Sequence, residues 1–476
     1  MKKKKFSYTI YLIIMLSIIM ACSMPSSIVI PVPQNDAPVS TITLTSSPPS
    51  KNITPVKITA TVQESDQNDS TEAEPVQEEI AELGQPVCID DECLEENMEI
   101  DFLIVTRPYF VTSLEPFIAW KVQNGFRVGL VMVDWLDETF EGRHMAERMK
   151  TGMHTIRRDS SSTETLYVLL VGDTEIDPDN NKVDGVLASY DLGDIWNVPT
   201  GYFRRSNFEA EGDVLPSDAY YVEDRDWDPE NTGLNPVPFQ KYGQGTFDAT
   251  IFLGRWSVRT PKAVQNITTK TLSYSPTDKI LFSEEKEFYH PESTGCNWPP
   301  TEYRGEKAFA SCYIDSEVTR SRLFNENAPW LETEFQVIDI WNPEDVKVFF
   351  DKLLNYDGAV FTLYHGYYYC MYMDENECIG IADLKFNNII PFYEPAACYV
   401  GSFYAGNPPT ITESLHNAPT GPVIVAGAGH NMYGFYEELR MGEPVGKAFW
   451  EAGATYAYWQ TILLLGDPSL PVFVAP

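Results

Sequence analysis

The chain has 476 residues, of which 43% are hydrophobic and 13% aromatic, so it is long enough for two or three domain-sized units with a substantial core. Its formal net charge is -35 at pH 7. Such an acidic surface repels polyanions, and the composition therefore predicts no nucleic-acid partner.

Residues 1–22 have the pattern of a secretory signal. Lys2–Lys5 are positively charged, and Ile10–Met20 is an apolar run too short to span a bilayer comfortably. The run ends in Ile19-Met20-Ala21-Cys22, which resembles a bacterial lipobox, where the Cys is diacylated and becomes the new N-terminus. We expect an extracytoplasmic protein anchored by lipid on Cys22 to the cell membrane or the outer membrane. The alternative is an ordinary signal peptide in which this Cys is incidental.

Residues 23–99 are predicted to form a disordered tether. They contain no aromatic residue, and their recurring prolines, serines and threonines give way to an acidic stretch. Such a composition buries too little apolar area to offset the entropy lost on ordering. We expect this linker to hold the folded part away from the membrane.

Strand-like and helix-like segments alternate from Asp101 onwards. The strand-like runs are Phe102–Val105, Val128–Val133, Leu166–Val171, Ile251–Leu253, Lys279–Phe282, Phe335–Ile340, Val360–Leu363, Pro395–Cys398 and Val423–Ala426. The helix-like stretches are Leu114–Asn124, His144–Arg157, Pro261–Leu272 and Pro343–Leu354. This alternation is typical of parallel βαβ units. It predicts an α/β fold with a doubly wound, mostly parallel sheet in two subdomains, residues 100–290 and 291–476.

Two reactive side chains follow predicted strands. One strand runs into His365-Gly366, and another ends at Cys398. Ligands of open α/β sheets bind beyond the carboxyl ends of parallel strands, so a thiol and an imidazole there can form a nucleophile–base pair. The imidazole would take the thiol proton, and the backbone N–H groups of Gly366 and Cys398 would stabilise an oxyanion. The alternative is that both residues are structural.

The cysteine count is consistent with a free thiol at Cys398. The chain has eight cysteines, and an odd number remains if Cys22 carries lipid. Pairing of near neighbours would join Cys88 to Cys93, Cys296 to Cys312 and Cys370 to Cys378. Cys398 would then be unpaired.

The ordered chain, from about Asp101 to Pro476, resembles the gingipain family of cysteine peptidases, whose core resembles that of caspases. Five blocks in the same order carry the resemblance. They are Leu166-Tyr167-Val168-Leu169-Leu170-Val171-Gly172-Asp173; Ser217-Asp218-Ala219-Tyr220-Tyr221 with Ile251-Phe252-Leu253-Gly254-Arg255; Tyr364-His365-Gly366; Cys398-Tyr399-Val400-Gly401-Ser402-Phe403; and Gly466-Asp467-Pro468-Ser469-Leu470.

The resemblance implies a caspase-like fold and an endopeptidase that cleaves protein or peptide substrates through a thioester, with no required cofactor. It implies Cys398 as nucleophile, His365 as base, and an acidic residue that orients the histidine. That residue is expected at Glu285, with Glu284 as the alternative. Two other functions remain open: a catalytically idle binding or adhesion lipoprotein of the same fold, and an acyltransferase in which an amine resolves the thioester.

The substrate pocket is expected near the segment that follows the next strand. In caspase-like folds this segment lines the primary pocket, which implies roles for His430, Met432 and Tyr433. Tyr367 departs from the family pattern of small or polar residues after His-Gly, and we expect it to line or crowd the cleft. The acidic residue that selects basic side chains in gingipains has no counterpart that the resemblance can place.

An acidic loop has spacing that suits calcium. Asp224, Asp226, Asp228 and Glu230 place carboxylates at alternating positions, and Ca²⁺ takes several oxygen ligands. Pro229 interrupts the loop, and the sharp-turn glycine of known calcium loops is missing. A structural calcium site is therefore one prediction, and a solvated acidic loop is the other.

Overall fold

Runs of consecutive aliphatic residues form the strands at the centre of the molecule. The runs predicted as strands at Phe102–Val105 and Leu166–Val171 form strands over Phe102–Thr106 and Leu166–Val171, and nearly every side chain in them is buried. A strand covered by helices on both faces needs apolar residues at successive positions rather than at alternate ones. The helix predicted over Leu114–Asn124 spans Val111–Gln123, and Gly125 has the positive φ of 89° expected after a helix C-terminus.

The computed structural model describes residues 88–89, 99–142, 145–159, 165–173, 198–199, 201–204, 214–222, 224, 249–285, 302–303, 306–307, 321, 324–339, 342–363, 366–367, 370–372, 378–380, 385–396, 410–427, 435–451 and 463–475. All of them belong to one compact unit, Leu83–Pro476. The expected signal peptide, Cys22 and most of the expected linker lie outside the described residues. Cys88–Ile89, within the predicted linker, form a short edge strand.

The strands are, in chain order, β1 (Cys88–Ile89), β2 (Phe102–Thr106), β3 (Val128–Met132), β4 (Leu166–Val171), β5 (Gly201–Arg204), β6 (Val214–Ser217), β7 (Ile251–Trp256), β8 (Lys279–Glu285), β9 (Glu302–Tyr303), β10 (Glu306–Lys307), β11 (Glu332–Ile338), β12 (Ala359–Leu363), β13 (Gly366–Tyr367), β14 (Cys370–Tyr372), β15 (Cys378–Gly380), β16 (Ile389–Ala396), β17 (Gly421–Gly427) and β18 (Leu463–Leu465).

The α-helices of the described residues are α1 (Val111–Gln123), α2 (Val133–Thr139), α3 (Met145–Asp159), α4 (Ala219–Val222), α5 (Pro261–Leu272), α6 (Pro343–Asn355), α7 (Ile411–Asn417), α8 (Phe435–Arg440) and α9 (Val445–Glu451). None of them is long and apolar enough to cross a bilayer.

One eleven-stranded sheet has the order β1-β3-β2-β4-β7-β18-β17-β16-β12-β8-β11. Neighbouring strands are parallel except at β17 and β18, which are antiparallel. The sheet therefore consists of two parallel halves that run in opposite directions. The carboxyl ends of β8, β12 and β16 therefore lie along one side of the sheet, which we call the carboxyl edge of the C-terminal half. The carboxyl ends of β2, β4 and β7 lie along the opposite side.

Both faces of the sheet are packed. In β2, Leu103 and Val105 belong to one hydrophobic cluster, whereas Phe102 and Ile104 belong to another. Because successive side chains of a strand point to opposite faces, two clusters sharing one strand show that both faces are covered. The predicted α/β fold with a doubly wound, mostly parallel sheet is confirmed.

Strand pairing crosses the position of the expected subdomain boundary. β8, from the N-terminal part, pairs with β11 and β12 from the C-terminal part. The C-terminal β18 lies between β7 and β17. The division at residues 290 and 291 stays a prediction, but the sheet itself is continuous across it.

Three of the five sequence blocks have structural roles. Arg255 of β7 is fully buried and binds Asp218 through two hydrogen bonds of 2.7 Å, and it also donates to the Gly172 carbonyl. Near the C-terminus, Asp467 pairs with the buried Lys121 of α1. A buried charge is tolerated when it is paired and hydrogen-bonded, so these blocks hold the N-terminal half together.

Candidate active site

Three strands end side by side at the carboxyl edge of the C-terminal half. Leu363 of β12 is paired in register with Glu284 of β8 on one side and with Ala396 of β16 on the other. His365 is the second residue after Leu363, and Cys398 is the second after Ala396. Both lie outside the described residues, so the structure defines the strands that lead to them but not their side chains.

This edge contains a topological switch point. From β8 the chain goes to β11 at the outside of the sheet, whereas from β12 it goes to β16 on the opposite side. The connections thus diverge between β8 and β12. In open α/β sheets, ligands bind beyond the carboxyl ends of the strands at such a point.

Close packing fixes the three strands relative to one another. The Phe282 and Phe361 rings stack with centroids 4.9 Å apart, and Phe361 is 5.2 Å from Phe392 on the next strand. At the start of β12, a Cβ on Gly358 would lie 2.5 Å from the Lys279 carbonyl oxygen. The glycine therefore allows the close approach of β12 to β8.

Two carboxylates end β8 in full burial. Glu284 and Glu285 both have 0% of their surface exposed. As consecutive residues of a strand they point to opposite faces, Glu284 to the face of Phe282 and Glu285 to that of Leu281. Burial of two carboxyl groups at a strand end is costly, and such sites are often functional.

A third buried carboxylate, Glu394, was not predicted from the sequence. It lies on β16 with 1% of its surface exposed, and the hydroxyl of Tyr436 contacts its Oε1 at 2.9 Å and its Oε2 at 2.7 Å. The available signal was an acidic residue inside the apolar run Ile389–Ala396.

Gly366 and Tyr367 form β13, which pairs with β14 in a small antiparallel sheet. Gly366 follows His365 in the chain, and its role as an oxyanion donor stays a prediction. The Tyr367 side chain lies outside the described residues. Its expected position in the cleft stays a prediction.

The two cysteines of the expected Cys370–Cys378 disulfide lie on neighbouring strands of this small sheet. Cys370 is paired with Gly380, and Cys378 with Tyr372, so the two cysteines are offset by two positions. Their side chains lie outside the described residues, and the disulfide stays a prediction.

The remaining expected site residues are partly or wholly outside the described chain. His430, Met432 and Tyr433 lie between the end of β17 and the start of α8 and are not described. Of the calcium candidates only Asp224 is described, and it accepts a hydrogen bond of 2.7 Å from Arg158. The other candidates, Asp226, Asp228 and Glu230, are not described. The pocket and the calcium site stay predictions.

A family model described as peptidase family C25 matches residues 95–473. Among solved structures, the chain is similar to the Arg-specific cysteine proteinase gingipain R at 16% identity, with a TM-score of 0.48 over 79% of this chain and 78% of that one. It is similar to the pro- and mature-domain complex of RgpB from Porphyromonas gingivalis at 16% identity, with a TM-score of 0.47 over 78% and 79% of the respective chains. No curated protein matches the sequence.

Proposed function

The chain belongs to peptidase family C25, whose model covers residues 95–473, and from this premise we propose that it is a cysteine endopeptidase with Cys398 as nucleophile and His365 as general base. One observation carries the assignment of residues. Leu363 and Ala396 are paired in register at the carboxyl edge, and the histidine and the cysteine each follow by two residues. His365 and Cys398 are thus equally far along the chain from two paired residues, which favours contact between the imidazole and the thiol.

The proposed reaction needs only groups of this chain and water. The His365 imidazole takes the Cys398 thiol proton, and the thiolate attacks the carbonyl carbon of the scissile peptide bond. The Gly366 and Cys398 backbone N–H groups stabilise the oxyanion. Collapse breaks the C–N bond, and the imidazolium protonates the leaving amine. Water, deprotonated by the imidazole, then hydrolyses the thioester and restores the thiol.

We propose that Glu284, rather than the expected Glu285, orients His365. Glu284 shares its register position with Leu363 and Ala396, the last residues of β12 and β16. Side chains alternate along an extended chain, and positions 365 and 398 each lie an even number of residues beyond that level, which supports the proposal. A carboxylate on the side of the imidazole can fix its tautomer and stabilise the imidazolium, whereas one on the opposite face cannot.

The nucleophile is tested by labelling the full chain with a thiol-directed peptidyl probe. We expect labelling of the wild type, loss of labelling in Cys398→Ala, and strong reduction in His365→Ala. Persistent labelling of Cys398→Ala would refute the assignment. Mass spectrometry of cleaved peptides, with and without an added amine, separates hydrolysis from acyl transfer.

The orienting carboxylate is tested by a matched pair of variants, Glu284→Gln and Glu285→Gln. The two residues are neighbours and equally buried, so any general effect on the fold of replacing a buried carboxyl group at this strand end should be similar in both variants. We expect Glu284→Gln to lower kcat at least roughly tenfold more than Glu285→Gln does. A larger loss in Glu285→Gln would return the role to that residue.

We also propose that the protein is exported and anchored by lipid on Cys22, where it would act on protein or peptide substrates outside the cytoplasm. The lipobox-like end of the signal and the composition of residues 23–99 support this location. Structural calcium in the loop from Asp224 to Glu230 remains part of the proposal, testable by the effect of a chelator on the unfolding temperature.

A further inference from the structure

The C-terminal segment, Leu463–Val474, connects the two halves of the large sheet. Its strand β18 lies between β7 of the N-terminal half and β17 of the C-terminal half, which are not paired with each other. β18 is antiparallel to β17 over three residue pairs, and Leu465 is paired with Arg255 of β7. The continuity of the sheet between its halves therefore depends on this segment.

The space that receives β18 is narrow on both sides. A Cβ on Gly254 of β7 would lie 2.2 Å from the Gly466 carbonyl oxygen, and a Cβ on Gly466 would lie 3.0 Å from the Val423 carbonyl oxygen of β17. The Gly466 N–H donates to the Arg255 carbonyl at 2.9 Å. The segment thus fits only when β7 and β17 stand at their native separation.

A buried lysine of the N-terminal half binds the segment just beyond β18. Lys121 of α1 is fully buried, and its Nζ lies 2.5 Å from Asp467 Oδ2 and 2.5 Å from Ser469 Oγ. The same ammonium group lies 4.3 Å from the centroid of the Phe102 ring and 4.4 Å from that of Phe126. An ion pair inside an aromatic cage therefore fixes the segment to α1.

Charged and polar groups form several of the contacts between the halves. Besides the ion pair, Lys270 of α5 donates to the carbonyl oxygens of His416 and Pro422 at 2.7 Å each. Apolar packing also crosses the contact, since Leu253 and Leu464 belong to one hydrophobic cluster. Buried ions regain their hydration when a contact opens, so such a contact separates at a lower cost than an apolar one of equal size. Polar interfaces of this kind are typical between parts of a chain that move relative to one another.

The remaining contacts of the segment are made with the C-terminal half. The carbonyl oxygens of Pro468 and Leu470 accept hydrogen bonds of 2.8 Å from Gly446 and Val445 at the start of α9. These partners are close in sequence, whereas Lys121 and Ser469 are 348 positions apart. Contacts between distant positions close a longer loop and form more slowly. We therefore expect the segment to associate first with α9 and β17, and last with β7 and α1.

We propose that the C-terminal segment is a clasp between the two halves: it docks on β7 and α1 after each half has formed, and it leaves them first, while both halves stay folded. The inference concerns the joining of the halves and does not depend on the proposed peptidase function.

Native-state hydrogen exchange of the full wild-type chain tests the order of opening. The Gly466 N–H reports contact with β7, and the amides of β4 and β12 report the folding of the two halves. We expect Gly466 to exchange at least roughly tenfold faster than the slowest amides of β4 and β12, with a weaker dependence on urea, because a partial opening exposes less surface than global unfolding. Exchange of Gly466 at the same rate and with the same urea dependence as those amides would overturn the proposal.

The role of the ion pair is tested by Lys121→Met against the matched control Lys150→Met. Lys150 is a second buried lysine of the N-terminal half, and its Nζ lies 4.7 Å from the Tyr220 ring of the same half. Opening of the clasp breaks the contacts of Lys121 but not that contact of Lys150. We expect Lys121→Met to speed exchange of Gly466 at least roughly tenfold, because Asp467 stays buried without this cation. Lys150→Met should stay within about twofold of the wild type. Equal increases in both variants would show that Gly466 exchanges through unfolding of the N-terminal half and would refute the clasp.

Ser469→Ala covers a failure of Lys121→Met to fold. It removes one hydroxyl from the contact and keeps both charges, so exchange of Gly466 should rise roughly three- to tenfold. An unchanged rate would contradict the proposal. None of these measurements involves turnover, so their outcome and that of the peptidase tests are independent.

Discussion

Glu413 shares a serine hydroxyl with a second buried acid, and this arrangement predicts a measurable dependence of stability on pH. Ser257 Oγ is 2.5 Å from Glu413 Oε1 and 2.7 Å from Asp173 Oδ1. A hydroxyl has one hydrogen, so when it donates to one carboxylate, the other acid must supply the proton for the second contact. Burial, with the nearby Asp173 charge, raises the pKa of Glu413 to about 8. We infer that Glu413 is protonated at neutral pH.

The sign and the size of the effect follow from proton linkage. The native protein holds the Glu413 proton up to about pH 8, whereas the unfolded chain releases it near 4.5. The stabilisation is therefore complete below about pH 4.5 and is lost as the pH rises towards 8. Within this window the free energy of unfolding falls by about 1.4 kcal/mol per pH unit. Between pH 6 and pH 8 the loss is thus at most about 3 kcal/mol.

Glu413→Gln isolates this contribution. Glutamine has an amide group that can donate to Ser257 and an oxygen that can accept from Thr410, as the protonated acid does. Urea unfolding at pH 6, 7 and 8 should show a smaller loss of stability in the variant than in the wild type, by up to about 3 kcal/mol across the range. Glu344→Gln, at an exposed position in the first turn of α6, is the charge-matched control and should keep the wild-type slope. If the free energy of unfolding falls with pH at the same rate in the wild type and in Glu413→Gln, Glu413 is ionised in the native state. That result would refute the inferred protonation.

Three further predictions concern other parts of the chain. His154 is buried against the Tyr221 carbonyl, and burial lowers its pKa to about 4, so the free energy of unfolding should fall as the pH drops from 6.5 to 4. Urea unfolding of His154→Gln should show no such fall over this pH range. A Cβ on Gly254 would lie 2.2 Å from the Gly466 carbonyl oxygen, so Gly254→Ala should lower the free energy of unfolding by about 2–3 kcal/mol. An unchanged urea midpoint would contradict the close approach of β7 and β18. Cys22→Ser should abolish incorporation of a clickable fatty acid in bacterial cells, and retained incorporation would exclude Cys22 as the lipid site.

Local sequence was sufficient to predict the class of fold and most strands of the eleven-stranded sheet. Consecutive aliphatic residues mark strands buried on both faces, and Pro261–Leu272 was predicted as a helix with the same limits that it has in the structure. β16 was predicted only from Pro395 onwards, yet it begins at Ile389. The missed part contains Pro391, and proline is rare inside central strands.

Part of the candidate site could likewise be predicted from the sequence, and part could not. The sequence alone predicts His365 and Cys398 as reactive residues after strands, with Gly366 next to the histidine in the chain. It did not identify Glu394 and Tyr436, which lie 42 positions apart and meet through the packing of α8 on β16. No periodic pattern encodes such a contact, since it depends on how two separate elements approach each other.

What the sequence determined by itself is thus the set of elements and the residue types that end them, because burial and backbone preference act over a few neighbouring positions. Only the tertiary structure decided which strands are neighbours, that the two halves of the sheet run in opposite directions, and which face each side chain shares. These features depend on register between distant segments, as in the pairing of Leu363 with both Glu284 and Ala396. That register underlies our proposal of Glu284 rather than Glu285 as the carboxylate that orients the histidine, because a shift of one residue along a strand turns a side chain to the opposite face.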